Sequence, residues 1–302
     1  MTDRELGVRD EGKALAVTAG EVEIARYVHR PDAPDAEAPK PYLHPLRSLS
    51  GAPLSSYRPW DHRWHKGLQM TWAHLSGQNF WGGPTYSAER DYHWEDNLGQ
   101  MRHVDFTAVS ADGDRVTVEE TLHWVTAAGE HWITERRRLA FHGVDPGRGL
   151  WALDFATELR NVRGAVLDFG SPTTHGRPLA GYAGFCWRGP RSFTGGTILA
   201  AGGRGGPEMM GEQADWLALA GQHDEIDGGA TVLVLAGRSS AAVPIKWFVR
   251  REPFAVISPS PSFDEEIALA PGGTLELAHR HVFVDHVCER AELDELGEEF
   301  AL

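Results

Sequence analysis

The segment DHRWHKG, residues 61–67, carries the residue types in this sequence that are best suited to proton transfer. It places His62 and His65 three positions apart, with Asp61 before them and Lys66 after them. Imidazole binds metals and titrates near neutral pH, so the segment suits either metal binding or general acid/base chemistry. It lacks the i, i+4 histidine pair and adjacent glutamate of zinc peptidases. We favour acid/base chemistry or hydrogen bonding to sugar hydroxyls, with metal binding and structural loop histidines as alternatives.

Glu120 interrupts the apolar face of a predicted strand. In the stretch DRVTVEETLHWV, residues 114–125, it shares one face with Val118 and Leu122. A carboxylate on such a face needs a partner or acquires a raised pKa, and carboxyl groups with raised pKa values serve as general acids and bases. We therefore predict Glu120 as a catalytic partner of the histidines. An ion pair with one of the arginines at 136–138 is the alternative.

Aromatic side chains are concentrated between residues 60 and 94, where seven Trp and Tyr residues occur. Flat rings stack on the apolar faces of sugars, while polar neighbours bind the hydroxyl groups. Trp72 follows a period of two with Leu68 and Met70 and is predicted to lie in the core. Trp64 and Trp81 are predicted to line a cleft.

β-Strands are the elements that must position these side chains. The stretch LWALDFATELR, residues 150–160, places apolar side chains on one face and predicts a half-buried strand beside residues 114–125. Further short strands are predicted for QMRHVDFTAV, HWITERRRLAF, ADWLALAG, ATVLVLAG, IKWFV, FAVIS and TLELAHRHVFV. Many short strands without intervening helices predict an all-β fold, a large antiparallel β-sandwich.

Two segments depart from the strand pattern. Leu293, Leu296 and Phe300 recur at helical spacing and predict a short C-terminal helix within residues 288–302. The proline-rich residues 31–41 predict a surface loop. Because all-β sandwiches of this length are often single units, we predict one β-sandwich domain over residues 1–302.

Composition narrows the class of partner. The chain of 302 residues has a net charge of −14 at pH 7, which argues against nucleic acid and anionic membrane surfaces. Its segments fall short of the roughly 18 apolar residues of a membrane helix, and its N-terminus has charges where a signal peptide is apolar. Its two cysteines, Cys186 and Cys288, are too few for a disulfide framework. We expect a cytoplasmic protein with a small-molecule partner and leave its oligomeric state open.

Three segments carry a family resemblance. The run KPYLHPLRSLSGAPLSSYRPWDHRWHKGLQMTWAHLSGQNFW, residues 40–81, resembles the N-terminal signature of the bacterial "methane oxygenase PmoA" family of unknown function. AGYAGFCWRGP, residues 180–190, and VPIKWFVRREPFAVISPSPSF, residues 243–263, resemble later segments of that family. The resemblance implies a galactose-mutarotase-like supersandwich, a fold class shared by carbohydrate-active enzymes and binding proteins.

Together these observations favour an enzyme that acts on a sugar or sugar derivative by epimerase- or mutarotase-like acid/base chemistry. Its predicted catalytic residues are His62, His65 and Glu120, and its predicted carbohydrate-binding residues are Trp64, Trp81, His175, Tyr182 and Arg188. The first alternative is a non-catalytic carbohydrate-binding or regulatory module. The second is a metal-dependent lyase or oxygenase, with a divalent metal at His62 and His65; the favoured hypothesis requires no cofactor.

Overall fold

The structure, a computed structural model, describes residues 5–224 and 226–302. Residues 1–4 and 225 of the predicted domain lie outside the described residues. The strands are β1 (Leu6–Asp10), β2 (Ala14–Ala19), β3 (Val22–Val28), β4 (Tyr42–Leu46), β5 (Leu68–Thr71), β6 (His74–Leu75), β7 (Thr85–Ser87), β8 (Asp91–His93), β9 (Gln100–Asp112), β10 (Arg115–Val125), β11 (His131–Asp145), β12 (Leu150–Asn161), β13 (Leu167–Gly170), β14 (Gly184–Arg188), β15 (Thr197–Ala200), β16 (Arg204–Gly205), β17 (Trp216–Gln222), β18 (Gly229–Leu235), β19 (Lys246–Arg250), β20 (Val256–Ser260), β21 (Ile267–Leu269) and β22 (Thr274–Val284). The helices are three 3-10 turns (Asp35–Glu37, Arg191–Phe193 and Pro207–Met209) and α1 (Arg290–Glu299).

Two large sheets form the sandwich. The eight-stranded sheet has the order β1-β2-β3-β4-β5-β14-β20-β19, and the nine-stranded sheet has the order β16-β15-β17-β18-β22-β12-β11-β10-β9. Smaller sheets are formed by β21-β13-β6 and by β7-β8. Neighbouring strands within the large sheets run antiparallel, as in the pairs β10 with β11 and β14 with β5. The predicted antiparallel β-sandwich with a short C-terminal helix is therefore confirmed.

The core lies between the inner faces of the two large sheets. Period-two alternation sends Val118 and Trp124 of β10, and Trp151 and Phe155 of β12, into this space. Trp72 is fully buried there, as predicted, and its Nε1 donates a hydrogen bond to Ser262 Oγ at 2.8 Å. Removing each large apolar side chain from water contributes about 1.5–3 kcal/mol, so these inner faces hold the sheets together.

The outer face of the eight-stranded sheet carries a separate, smaller apolar cluster. Because Trp187 and Trp247 point into the core, their strand neighbours Cys186 and Phe248 face outward. Trp81 packs with them from a loop that follows β6. The pocket that contains His62 and His65 lies on this face.

Helix α1 covers part of the outer face of the nine-stranded sheet. Its buried Leu293 and Leu296 form a cluster with Leu150 of β12 and Val282 of β22, which is joined by Phe300 just after the helix. The helical spacing of apolar residues at the end of the sequence thus reflects packing on a sheet.

The proline-rich segment 31–41 changes character along its length. Its first half, residues 31–36, is largely exposed, and the 3-10 turn Asp35–Glu37 leads into the second half. Its second half is buried, including Glu37 and Lys40. The description of a surface loop fits the first half, whereas the second half is buried beneath the histidine loop.

Within the described residues, no helix is long and apolar enough to cross a membrane.

Candidate functional site

The His-x-x-His segment consists of two consecutive turns. The backbone N–H of His62 donates to the carbonyl of Pro59 at 2.9 Å, and that of His65 donates to the carbonyl of His62 at 2.9 Å. One turn between the two residues brings their rings to one side, with centroids 4.9 Å apart. Gly67 closes the loop in a left-handed conformation with φ +58°, where a Cβ atom would lie 2.0 Å from the Leu43 carbonyl oxygen. The spacing therefore places both imidazoles in one pocket without a helix.

His62 is held with one ring nitrogen engaged. Its Nδ1 lies 3.1 Å from Asp61 Oδ2, and since a carboxylate only accepts, Nδ1 donates and Nε2 carries the lone pair. Burial lowers the pKa of His62, and the Asp61 carboxylate opposes that shift without reversing it. Asp61 itself keeps a lowered pKa because His62 and Arg188 outweigh its own burial. His62 is thus a neutral imidazole with a free basic nitrogen at neutral pH.

His65 is held in the complementary state. Arg188 Nη1 donates to His65 Nδ1 at 2.9 Å, so the proton of the neutral ring sits on Nε2. Burial holds the pKa of His65 well below its ordinary value, and the neighbouring His62 and the Arg188 charge act in the same direction. The Arg188 guanidinium is buried and lies 3.5 Å from the centroid of the Phe254 ring. His65 therefore presents a hydrogen-bond donor, not a base.

These histidines open onto a pocket of about 420 Å³ on the outer face of the eight-stranded sheet. Aromatic side chains form much of its wall: Trp64, Trp81, Tyr182, Phe248 and Phe254. Trp81 and Tyr182 pack with ring centroids 4.7 Å apart. Apolar rings beside a few convergent polar groups are the arrangement expected of a small-molecule site, and they suit the faces of a sugar ring.

The other polar groups of the pocket come from Tyr92, Arg177 and Arg250. Arg177 Nη1 donates to the Tyr92 hydroxyl at 2.7 Å, and this hydroxyl lies 2.9 Å from that of Tyr182. Burial raises the pKa of Tyr92, and its contacts with Tyr182 and Arg177 only partly offset this, so the phenol keeps its proton at neutral pH. The pair of phenols is thus an available proton donor.

A buried ion cluster anchors the loop from below. Glu37 lies 2.6 Å from Arg58 Nη2 and 2.8 Å from Lys66 Nζ, so one carboxylate holds both flanks of the segment that contains the histidines. Lys40 Nζ donates to three backbone carbonyls, including that of Trp81 at 2.8 Å. These contacts fix Trp81 and the histidine loop relative to each other, because breaking a buried pair leaves an uncompensated charge.

Most of the predicted site residues lie at this pocket. Those that line it directly are His62, His65, Trp64, Trp81 and Tyr182. Arg188 lies behind His65 and acts on it through the hydrogen bond. Arg188 and His65 are more than a hundred positions apart in sequence. They are in contact because β14 pairs with β5 next to the histidine loop.

Glu120 lies elsewhere. It is buried between the two sheets, where Oε1 accepts from His103 Nδ1 at 2.5 Å and Oε2 accepts from the Tyr27 hydroxyl. Burial raises the pKa of Glu120, as expected from its position on an apolar face. The eight-stranded sheet separates it from the histidines, since Tyr27 belongs to the core and the pocket lies on the opposite face. Glu120 is therefore not the catalytic partner of His62 and His65 in this structure. The Tyr27 hydroxyl links it to Arg137, whose Nη1 donates a hydrogen bond to that hydroxyl.

His175 is also outside the pocket lining. Its ring stacks on His74 with centroids 3.8 Å apart, and its Nδ1 lies 3.1 Å from the Ser171 carbonyl. The same loop contributes Arg177 to the pocket instead. Sequence reasoning missed Arg177 because a lone arginine in a loop carries no pattern, whereas Arg250 lies within one of the family-like segments and Tyr92 within the aromatic-rich region.

The described residues contain two groups with spacing suited to a metal ion: His29, His103 and Glu120, and His286, Cys288 and Glu292. Neither group includes His62 or His65. In this arrangement His65 has no lone pair left for a metal, because Nδ1 accepts from Arg188 and Nε2 carries the proton, whereas His62 keeps a lone pair at Nε2. The hydrogen bonds of the loop thus leave one imidazole as a proton acceptor and the other as a donor, an arrangement that suits proton transfer.

A wider groove of about 960 Å³ lies on the outer face of the nine-stranded sheet. Glu120 and Arg137 contribute to its lining but are buried, whereas its solvent-facing charges pair with one another, as in Arg138 with Glu119 at 3.4 Å and Arg136 with Glu158 at 3.9 Å. Such pairs form a solvated surface of little energetic consequence. We therefore place the candidate site at the aromatic pocket, which is smaller but has convergent polar groups.

A family model matches residues 14–298, and its description is a family of unknown function, DUF6807. The chain belongs to this family. The match confirms membership in a family of unknown function but not the methane oxygenase name that the sequence segments suggested. No curated protein matches the chain.

Solved structures of carbohydrate-active enzymes are similar to the chain at low identity. One is an alpha-galactosidase from Lactobacillus brevis, with 10% identity, a TM-score of 0.43, and coverage of 93% of this chain and 40% of that one. A second alpha-galactosidase, from Geobacillus stearothermophilus in complex with raffinose, has 14% identity, a TM-score of 0.39, and coverage of 94% and 41%. Galactose 1-epimerase from Lactobacillus acidophilus has 9% identity, a TM-score of 0.39, and coverage of 92% and 97%. The chain thus spans about two fifths of the length of either galactosidase.

Proposed function

We propose that this member of the DUF6807 family is an enzyme that binds a sugar or sugar derivative in the aromatic pocket and interconverts its anomers or epimers by acid/base chemistry. The observation that carries the proposal is the complementary state of two adjacent histidines. Asp61 leaves a basic nitrogen on His62, and Arg188 leaves an N–H donor on His65. Acid/base catalysis needs such a division of roles within reach of one substrate.

For mutarotation, His62 Nε2 takes the proton of the anomeric hydroxyl while the bond between the anomeric carbon and the ring oxygen breaks. The ring oxygen receives a proton from the Tyr92 hydroxyl, and the Arg177 guanidinium stabilises the phenolate that remains. The carbonyl group of the open chain rotates, and reversal of both transfers closes the ring in the other anomer. His65 Nε2–H donates a hydrogen bond to a sugar oxygen throughout, and Asp61 stabilises the His62 imidazolium.

Anomer exchange measured by NMR tests this activity. Wild-type protein is added to equilibrated aldoses and uronates, and exchange between the two anomeric signals is compared with the spontaneous rate. Acceleration with at least one sugar is expected. Rates that stay at the spontaneous value across the panel would remove the mutarotase version of the proposal.

A non-catalytic carbohydrate-binding module is the second candidate, and the aromatic wall favours it, because stacking alone suffices for binding. Quenching of Trp64 and Trp81 fluorescence reports occupancy of the pocket independently of turnover. Binding of a sugar without accelerated exchange of that sugar would select the module. Accelerated exchange that disappears in His62→Gln while quenching persists would select the enzyme.

A further inference from the structure

We propose that the sugar derivative bound in this pocket carries an anionic group, a carboxylate or a phosphate, and that Arg177 and Arg250 bind it. The inference rests on the proposed function, because it names the substrate class of the same pocket. Both arginines line the pocket, from a loop and from the end of β19 respectively.

Arg250 is the first observation. It is partly buried and its guanidinium lies 5.4 Å from the centroid of the Phe248 ring. Among the described residues, its guanidinium makes no hydrogen bond or ion pair. An arginine offers five N–H donors in a planar fork that matches carboxylate and phosphate oxygens. A partly buried fork without an acceptor in the protein is available to one from a ligand.

Arg177 places a second positive charge beside the first. Its side chain is held by the Tyr92 hydroxyl and lies 4.8 Å from the centroid of the Tyr92 ring, with no carboxylate partner among the described residues. Both guanidinium groups line the same pocket, and burial and the repulsion of Arg177 lower the pKa of Arg250. Two like charges at one wall are relieved by an anion placed between them.

The pocket contains no acid to neutralise these charges. Its lining, as far as the structure describes the chain, has two cationic side chains, Arg177 and Arg250, beside the neutral imidazoles of His62 and His65, and no Asp or Glu. The nearby Asp61 is engaged elsewhere, with His62 at 3.1 Å, Arg191 at 3.5 Å and Arg188 at 4.0 Å. The pocket is therefore electropositive within a protein whose net charge is −14.

Two other arginines of the described residues show how this fold pairs a guanidinium group with an acid. Arg137 lies 2.7 Å from Glu135, and Arg58 lies 2.6 Å from Glu37. Arg177 and Arg250 have no such carboxylate among the described residues, and both line one pocket, so their charges are available to a ligand there. In the proposed complex the sugar ring packs on the aromatic wall and the acidic substituent binds the two guanidinium groups. The anomeric carbon then lies near the histidines.

Matched sugar pairs test the inference. Galactose and galacturonate, glucose and glucuronate, and mannose and mannuronate differ only at C6, and the corresponding 6-phosphates separate the two anionic groups. Affinity is measured by tryptophan fluorescence for the wild type, Arg177→Met, Arg250→Met and the exposed control Arg160→Met, with urea unfolding to verify folding. We expect the anionic member of at least one pair to bind about tenfold or more tighter than the neutral one, because charge-assisted hydrogen bonds are the stronger class.

That advantage should disappear in either pocket variant, persist in Arg160→Met, and shrink as ionic strength rises. A larger gain for uronates identifies a sugar acid, and a larger gain for 6-phosphates identifies a sugar phosphate; both support the inference. Equal affinities within every pair, or an advantage that survives in both pocket variants, would overturn it while leaving sugar binding intact. Failure of every sugar to bind would instead overturn the proposed function, and the inference with it.

Discussion

At the scale of residues, the site is defined by what occupies Nδ1 of each histidine. His62 and His65 have the same side chain and nearly the same place in the fold. A carboxylate beside one and a guanidinium beside the other give them opposite hydrogen-bonding roles. The environment of each ring therefore assigns its role in proton transfer, as it does for carboxyl pairs in other enzymes.

The pH dependence of anomer exchange follows from these contacts. Burial keeps the pKa of His62 below 6.5, so the basic form is present at neutral pH and is lost as pH falls. We expect kcat/KM to be flat above about pH 6.5 and to decline on the acid side. In Asp61→Asn the carboxylate that raises the pKa of His62 is gone, so the acid limb should move to lower pH and the plateau should fall. A limb that moves to higher pH would contradict the assigned role of Asp61.

At the scale of elements, the loop between β4 and β5 does the positioning. The two turns depend on Gly67, whose left-handed backbone lies against the Leu43 carbonyl. The paired β5 and β14 then bring Arg188 beneath His65. The site is thus rigid at the point where a loop joins the sheet.

Replacing Gly67 by alanine should be strongly destabilising. Its Cβ atom would lie 2.0 Å from the Leu43 oxygen in a backbone with φ +58°. Gly113, in the turn between β9 and β10, has φ +54°, but a Cβ atom there would have nothing within 4 Å, so Gly113→Ala controls for the backbone cost alone. By urea unfolding we expect Gly67→Ala to lose about 2 kcal/mol or more beyond the loss in Gly113→Ala. Equal losses of unfolding free energy in the two variants would show that the loop adjusts to the added Cβ atom without a further cost in stability.

Local patterns predicted much of this arrangement. The alternation along β10 and β12, the helical spacing of Leu293 and Leu296, and the His-x-x-His spacing are all properties of short segments. The convergence of Tyr92, Arg177 and Arg250 on one pocket is not a property of any short segment, because three distant segments supply these residues. For Glu120, the period of two correctly predicted the buried face, but it carries no information on which sheet lies between that face and the histidines.

At the scale of the whole molecule, the sandwich keeps two polar centres apart. One is the pocket on the outer face, and the other is the buried network of Glu120, Tyr27, His103 and Arg137 between the sheets. Tyr27 belongs to the apolar core, Arg137 lies over the Phe155 ring and Glu120 is buried, so an unmatched polar group in this network is costly. We interpret this network as a structural feature of the core.

Glu120→Gln should therefore lower stability. The amide replaces one acceptor oxygen with a donor that faces either His103 or the Tyr27 hydroxyl. We expect a loss of about 1–3 kcal/mol in the free energy of unfolding, measured with urea. Unchanged stability would show that the inner network can rearrange around the amide. The exposed Glu119→Gln is the control, and its change should be within about 0.5 kcal/mol.

The most direct test of the account compares anomer exchange in wild type, His62→Gln and Glu120→Gln, each verified as folded, on one sugar that the wild type turns over. We expect His62→Gln to lose about a hundredfold or more of the catalysed rate, because a general base is removed. We expect Glu120→Gln to retain the wild-type rate, because the eight-stranded sheet separates Glu120 from the pocket. Full activity in His62→Gln, or a comparable loss in Glu120→Gln, would contradict the assignment of the site.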